Sequence, residues 1–172
     1  MLGRRNSLKP KPKPIEVMRE DSFAREMWVQ IRINDETNQK EVLFVQPAGS
    51  PVLIIPGVRL LPGLMMECDP RELLIPKLRL DLNVSLEFNK MTRYTDFKAP
   101  AYNQDPKVER MVENIAYFAC WEGELKTTQQ IYEIKHFPYV SDFVQGVDEK
   151  HGSITSVDRA LMERLHTDGH LT

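Results

Sequence analysis

Residues 77–91 read KLRLDLNVSLEFNKM, and their apolar side chains fall at every second position: Leu78, Leu80, Leu82, Val84, Leu86 and Phe88. Arg79, Asp81, Asn83, Ser85, Glu87 and Asn89 fill the positions between them. A strand sends successive side chains to opposite faces, so this alternation predicts an amphipathic strand with one apolar and one solvated face. A helix would spread the same residues around its circumference. At ~3.3 Å per residue the run is long for a globular strand, and it predicts an element that crosses a sheet.

Shorter signals flank it. In residues 27–33, Val29, Ile31 and Ile33 alternate with polar neighbours; a polar cluster over 34–38 follows, and residues 41–45 resume as an apolar strand. Two strands around such a connector predict a hairpin. Residues 52–67 are very apolar, broken by Pro56-Gly57 and Pro62-Gly63, which have the order of a type II turn. They predict short buried strands or corners, or an apolar surface offered to a partner through Val58, Leu60, Leu61, Leu64 and Met65. Pro70 and Pro76 bracket a short apolar run, expected at an edge or bend.

Beyond an aromatic loop over 92–105, Asp105 and Pro106 suit a helix start, and Val108, Met111, Val112 and Ile115 follow at helical spacing. Residues 115–136 are expected to form a hairpin, although they also tolerate helix. Thr155 and Asp158 have capping-box spacing ahead of Val157, Leu161 and Leu165, which predicts a second helix. The expected fold is therefore α+β and mainly β: an antiparallel sandwich or partly open barrel of about seven or eight strands. Helices near residues 106–115 and 155–166 pack on a face or edge. A basic, Pro-rich, disordered arm and lead-in (1–26) precede a single globular domain (27–166), and a frayed tail (167–172) ends the chain.

Charge is unevenly placed. The chain of 172 residues has a formal net charge of -2, yet Arg4, Arg5, Lys9, Lys11 and Lys13 precede its first acid. The alternating Lys-Pro run favours extended polyproline II. The arm is expected either to solubilise the chain or to contact nucleic acid, nucleoprotein or an anionic membrane without base specificity. Ser7 follows Arg4, Arg5 and Asn6 and is a candidate phosphorylation site that would reduce the arm's charge.

Sites for chemistry are sparse. Cys68 and Cys120 belong to no CxxC pair, against a disulfide scaffold or structural zinc, although one bridge between them stays open. Phosphate-binding loops, dinucleotide fingerprints and nucleophile elbows are absent. Asp81 and Glu87 on one strand face would lie about 20 Å apart, too far to share acid and base work. His166 and His170 have the spacing of a helical metal pair, but Gly169 and the nearby chain end argue against it. Cys120 beside Trp121 is expected to be a buried small hydrophobe, and His136 is expected to pack with Tyr132 and Tyr139.

No cofactor, metal site, catalytic residue or small-molecule substrate is expected. The primary functional expectation is a non-enzymatic structural or assembly protein of matrix- or coat-like organisation, associating with itself through its β domain. The alternatives are an accessory nucleic-acid-binding adaptor of silencing-suppressor type and an enzyme of unfamiliar type. With no apolar run near ~20 residues and no secretory h-region, the expected location is cytoplasm, nucleus or virion.

Overall fold

The alternation that starts at Leu78 holds only in its second half. The computed structural model describes residues 24–60, 69–100, 111–139 and 153–172. In it Arg71–Leu82 is a helix (α1), and the strand β6 covers Val84–Pro100. Leu74, Leu78 and Leu82 are buried along one side of α1. A spacing of four residues is also two steps of an alternating pattern, so the same leucines satisfy both periods. Leu80 separates them: a strand would bury it with its neighbours, whereas the helix leaves it 62% exposed.

Asp69 accepts from the backbone N–H of Arg71 at 3.0 Å and prepares the first turn. Asn83 ends the helix in the left-handed region (φ 60°), its N–H bonded to the Arg79 carbonyl. Asn tolerates this conformation better than most residues with a Cβ. Pro76 lies inside the helix rather than at a sheet edge.

The remaining strands are β1 (Ala24–Trp28), β2 (Ile31–Ile33), β3 (Lys40–Pro47), β4 (Val52–Leu53), β5 (Gly57–Leu60), β7 (Met111–Gly123), β8 (Ile131–Pro138) and β9 (Ser153–Ile154); the second helix is α2 (Ser156–Thr167). They form a four-stranded sheet in the order β5-β1-β7-β6, a three-stranded sheet β2-β3-β8 and the short pair β4-β9. The mainly β, unclosed architecture with two helices is as expected. Its pairing is mixed, because β1 runs parallel to β7 and β4 parallel to β9.

The β2–β3 hairpin forms with Ile31 opposite Val42, and its turn is held by Asn34, whose side-chain oxygen accepts from the N–H groups of Glu36 and Thr37. Two other expectations are corrected. The helical spacing around Met111 and Ile115 belongs to β7, whose backbone is engaged on both sides, by β1 and by β6. Residues 115–136 do contain two strands but no hairpin, because β8 leaves β7 and pairs with β3.

The helices lie over two different cores. Met27, Val29, Val42 and Phe44 pack with Val157, Leu161 and Leu165 of α2. Trp28, Leu43 and Val45 pack with Leu74, Leu78 and Leu82 of α1. Adjacent residues of β1 and β3 thus enter opposite cores, as side chains on two faces of a strand must. The result is a helix–sheet–helix sandwich. Near the chain end Leu171 is buried with the α2 core, and His170 packs against Tyr94 and Phe118. Among the described residues no helix is long and apolar enough to cross a membrane.

Gly57 opens β5 instead of occupying the third position of a type II turn; its φ is not among the positive values. A Cβ there would stand 2.3 Å from the Glu26 carbonyl oxygen of β1. Glycine is what allows β5 to approach β1 closely. Gly57→Ala should therefore destabilise the fold by about 2 kcal/mol or more. Gly49→Ala, with φ +79° and open space around the new methyl, should cost only about 1 kcal/mol. Denaturant midpoints of the two variants check the ranking.

Candidate functional site

A cavity of about 590 Å³ opens where α1, β5 and the start of α2 meet the end of β3. Its charged lining is Arg25, Arg59, Lys77 and Asp81. Arg25 and Arg59 are direct partners across the β1–β5 ladder, so both side chains leave the same face of the sheet.

Arg25 is immobilised from behind. It forms an ion pair with Asp158 at 3.0 Å and donates to the Ile55 carbonyl at 2.6 Å. Asp158 is fully buried. It also accepts from the Ile55 N–H at 3.1 Å and from the Thr155 hydroxyl, while its own N–H donates to Thr155 Oγ1 at 3.2 Å. The Thr155–Asp158 spacing that predicts the helix cap thus also fixes a cation on the cavity wall.

On the other side, Lys77 and Asp81 stand one helical turn apart and pair at 2.7 Å. Only Asp81 Oδ2 is used; Oδ1 is buried with no hydrogen-bond partner. The Asp81 carbonyl accepts from Thr128 Oγ1 at 2.7 Å, which pins the end of α1. Arg79, two residues before Asp81, donates to Ser85 Oγ at 2.9 Å.

Glu26, next to Arg25 on β1, points away from this cavity, as alternation requires. It is 1% exposed and accepts from the Tyr117 hydroxyl at 3.0 Å, while Oε2 has no partner. Burial pushes its carboxyl up to about 7, against the opposing pull of the Tyr117 hydrogen bond and of Arg93 and Arg71. Burial, then the Glu26 carboxylate, raises the Tyr117 hydroxyl in turn. Asp69, forked onto Arg71, is held below its ordinary value by that hydrogen bond.

The histidines do not converge. His136 is pushed down to about 4, first by burial and then by Arg32. Tyr139 stacks on His166 at 3.8 Å rather than on His136, and His170 belongs to the Tyr94–Phe118 cluster. Among the described residues no group of three or more His, Cys, Asp or Glu side chains could hold a metal ion. Cys120 is exposed on β7, not buried. Of the proposed partner surface, Leu60 is buried, Val58 is half-buried and lines the cavity, and Leu61, Leu64 and Met65 lie outside the described residues. Arg4, Arg5, Ser7, Lys9, Lys11 and Lys13 lie outside them too.

Sequence reasoning missed the cavity residues. The available signals were the i,i+4 pair Lys77 and Asp81 and the isolated charge of Arg59 within an apolar run.

No family model matches the sequence, and no curated protein does. Solved structures do share the fold. A NUDIX hydrolase from Alicyclobacillus acidocaldarius superposes with TM-score 0.55 at 11% identity, over 84% of this chain and 90% of that one. The NUDIX domain of Shewanella oneidensis NrtR, complexed with ADP ribose, gives 0.53 at 13% over 98% and 99%. A C. elegans Ap4A hydrolase in a binary complex gives 0.51 at 14% over 83% and 96%. At these identities the likeness is one of fold. It nevertheless corrects the expectation of a non-enzymatic, matrix- or coat-like protein whose partners are its own copies, RNA or a membrane. The proteins sharing the architecture are hydrolases and a domain that holds a small nucleotide compound. The expected absence of a small-molecule substrate is corrected on the same ground.

Removing one member of a buried ion pair leaves the other uncompensated, so Asp158→Ala should cost about 3–5 kcal/mol in chemical denaturation. The raised Glu26 carboxyl gives a separate pH effect. An acid whose value rises on folding binds its proton more tightly in the native state. Stability should then fall as pH rises from about 4.5 through about 7. Against Glu26→Gln, which lacks this titration, the wild type should lose on the order of 3 kcal/mol at most between pH 4 and pH 8.

Proposed function

We propose that the chain is an enzyme that hydrolyses a phosphoanhydride bond in a small organic diphosphate bound in this cavity. The observation that carries the proposal is that Arg25, Arg59 and Lys77 line one solvent-reaching cavity together with the half-satisfied carboxylate of Asp81. Its place on a fold shared with solved hydrolases supports the same reading.

The two cross-strand arginines suit phosphate, because the planar guanidinium fork can meet two of its oxygens at once. Arg25, already locked by Asp158 and the Ile55 carbonyl, needs little reordering to meet an anion. Lys77 holds Asp81 Oδ2, and Oδ1, buried without a hydrogen-bond partner, is the oxygen proposed to accept a proton from the attacking water. Magnesium takes one or two protein carboxylates and completes its shell with water and substrate phosphates. Asp81, the only carboxylate among the described lining residues, has Oδ2 on Lys77 and Oδ1 buried, and so does not fit that ion.

Product analysis after incubation with ADP-ribose (AMP and ribose 5-phosphate), diadenosine tetraphosphate (smaller adenine nucleotides) and inorganic pyrophosphate (phosphate), with and without Mg²⁺, tests the proposal. Asp81→Asn should lower kcat by about 100-fold or more. Lys77→Met should act mainly on KM, raising it by roughly tenfold. Saturable binding of these compounds with no turnover under any condition would overturn the hydrolytic assignment.

A further inference from the structure

The uncharged part of the cavity has its own chemistry. Val45, Val52, Ile54, Val58, Leu82 and Ile131 line it, contributed by β3, β4, the segment after β4, β5, α1 and β8. Val45, Val52, Leu82 and Ile131 are each at most 8% exposed, so this wall is part of the packed core. It is also tied together by backbone bonds: Val45 and Ile54 exchange N–H···O contacts, both at 2.8 Å. Among the described residues lining the cavity no side chain is aromatic. Sites that hold a planar base gain much of their affinity from a ring stacked on it. A flexible hydrocarbon gains instead from dispersion and dehydration against branched aliphatic side chains. The volume, about 590 Å³, is in the range of sites that enclose a whole small molecule.

We infer that the organic portion of the ligand is aliphatic: the cavity takes a diphosphate monoester of an aliphatic alcohol in preference to a nucleoside diphosphate. The cations meet the diphosphate, and the hydrocarbon lies along the wall formed by Val45, Ile54, Val58 and Ile131. This rests on the cavity's role in phosphate binding proposed above, and narrows it from organic diphosphates in general to one class.

Calorimetry on the full chain with inorganic pyrophosphate, ADP and the ethyl, butyl and hexyl diphosphates tests it. Affinity should climb along the alkyl series by up to about fourfold per methylene. The hexyl ester should bind at least tenfold more tightly than ADP. A flat series, or ADP equal to or above the hexyl ester, overturns the aliphatic assignment and leaves phosphate binding intact. Failure of pyrophosphate and every ester to bind removes phosphate binding itself, and the inference with it. Val58→Thr keeps side-chain volume while adding a hydroxyl, and should lower the ratio of hexyl-ester to pyrophosphate affinity by roughly tenfold. An unchanged ratio in that variant counts against the assignment.

Discussion

A carboxylate removed from water ties this molecule together. Asp158 has no exposed surface, and a buried charge persists only when its lone pairs are met. Here the partners come from three places in the chain: Arg25 in β1, the backbone N–H of Ile55, and Thr155 at the head of α2. No two of them are neighbours in sequence. Because each compensates the same desolvation cost, the arrangement favours all of them present together. It sets the seat of α2 on the sheet and, by the same contacts, the orientation of the arginine at the cavity wall.

The two cores separate as a consequence of strand geometry. Met27 and Trp28 are neighbours in β1, yet one belongs to the α2 layer and the other to the α1 layer, where Trp28 meets Trp121 edge-on at 6.0 Å. Arg25 and Glu26 divide in the same way. One becomes part of a solvent-reaching cavity and stays paired; the other is enclosed near Tyr117 and drifts towards its neutral form. The chemistry available to each acid or base is thus fixed by which side of one short strand it occupies.

Much of the architecture could be read from periodicity, and its failures have identifiable causes. The β2–β3 hairpin was legible because polar residues interrupt two alternating runs, and α2 because Thr155 precedes an apolar stripe. The α1 helix was hidden because Leu74, Leu78 and Leu82 obey a period of four, which a period of two contains. Leu80 was the one residue able to break the tie, and its exposure is decided by tertiary packing. The start of β7 read as helix because strand partners distant in sequence leave no local mark. The cavity was illegible for the same reason: its charges come from β1, β5 and α1, each ordinary on its own. Asp158 carried a helix-cap signal, but nothing near it in sequence announces a pairing with residue 25.

The parallel contact between β1 and β7 also orders events during synthesis. Ala24 has to wait for Glu113, about ninety residues later, before that edge of its backbone is satisfied. Among the described strands, the other partner of β1 is β5, which emerges much sooner. A nascent chain stalled between those points would carry a hydrophobic ribbon with one open edge, the kind of surface that chaperones or stray strands seize. The seam at the centre of the finished sheet is thus the one in that sheet whose two sides lie farthest apart in sequence.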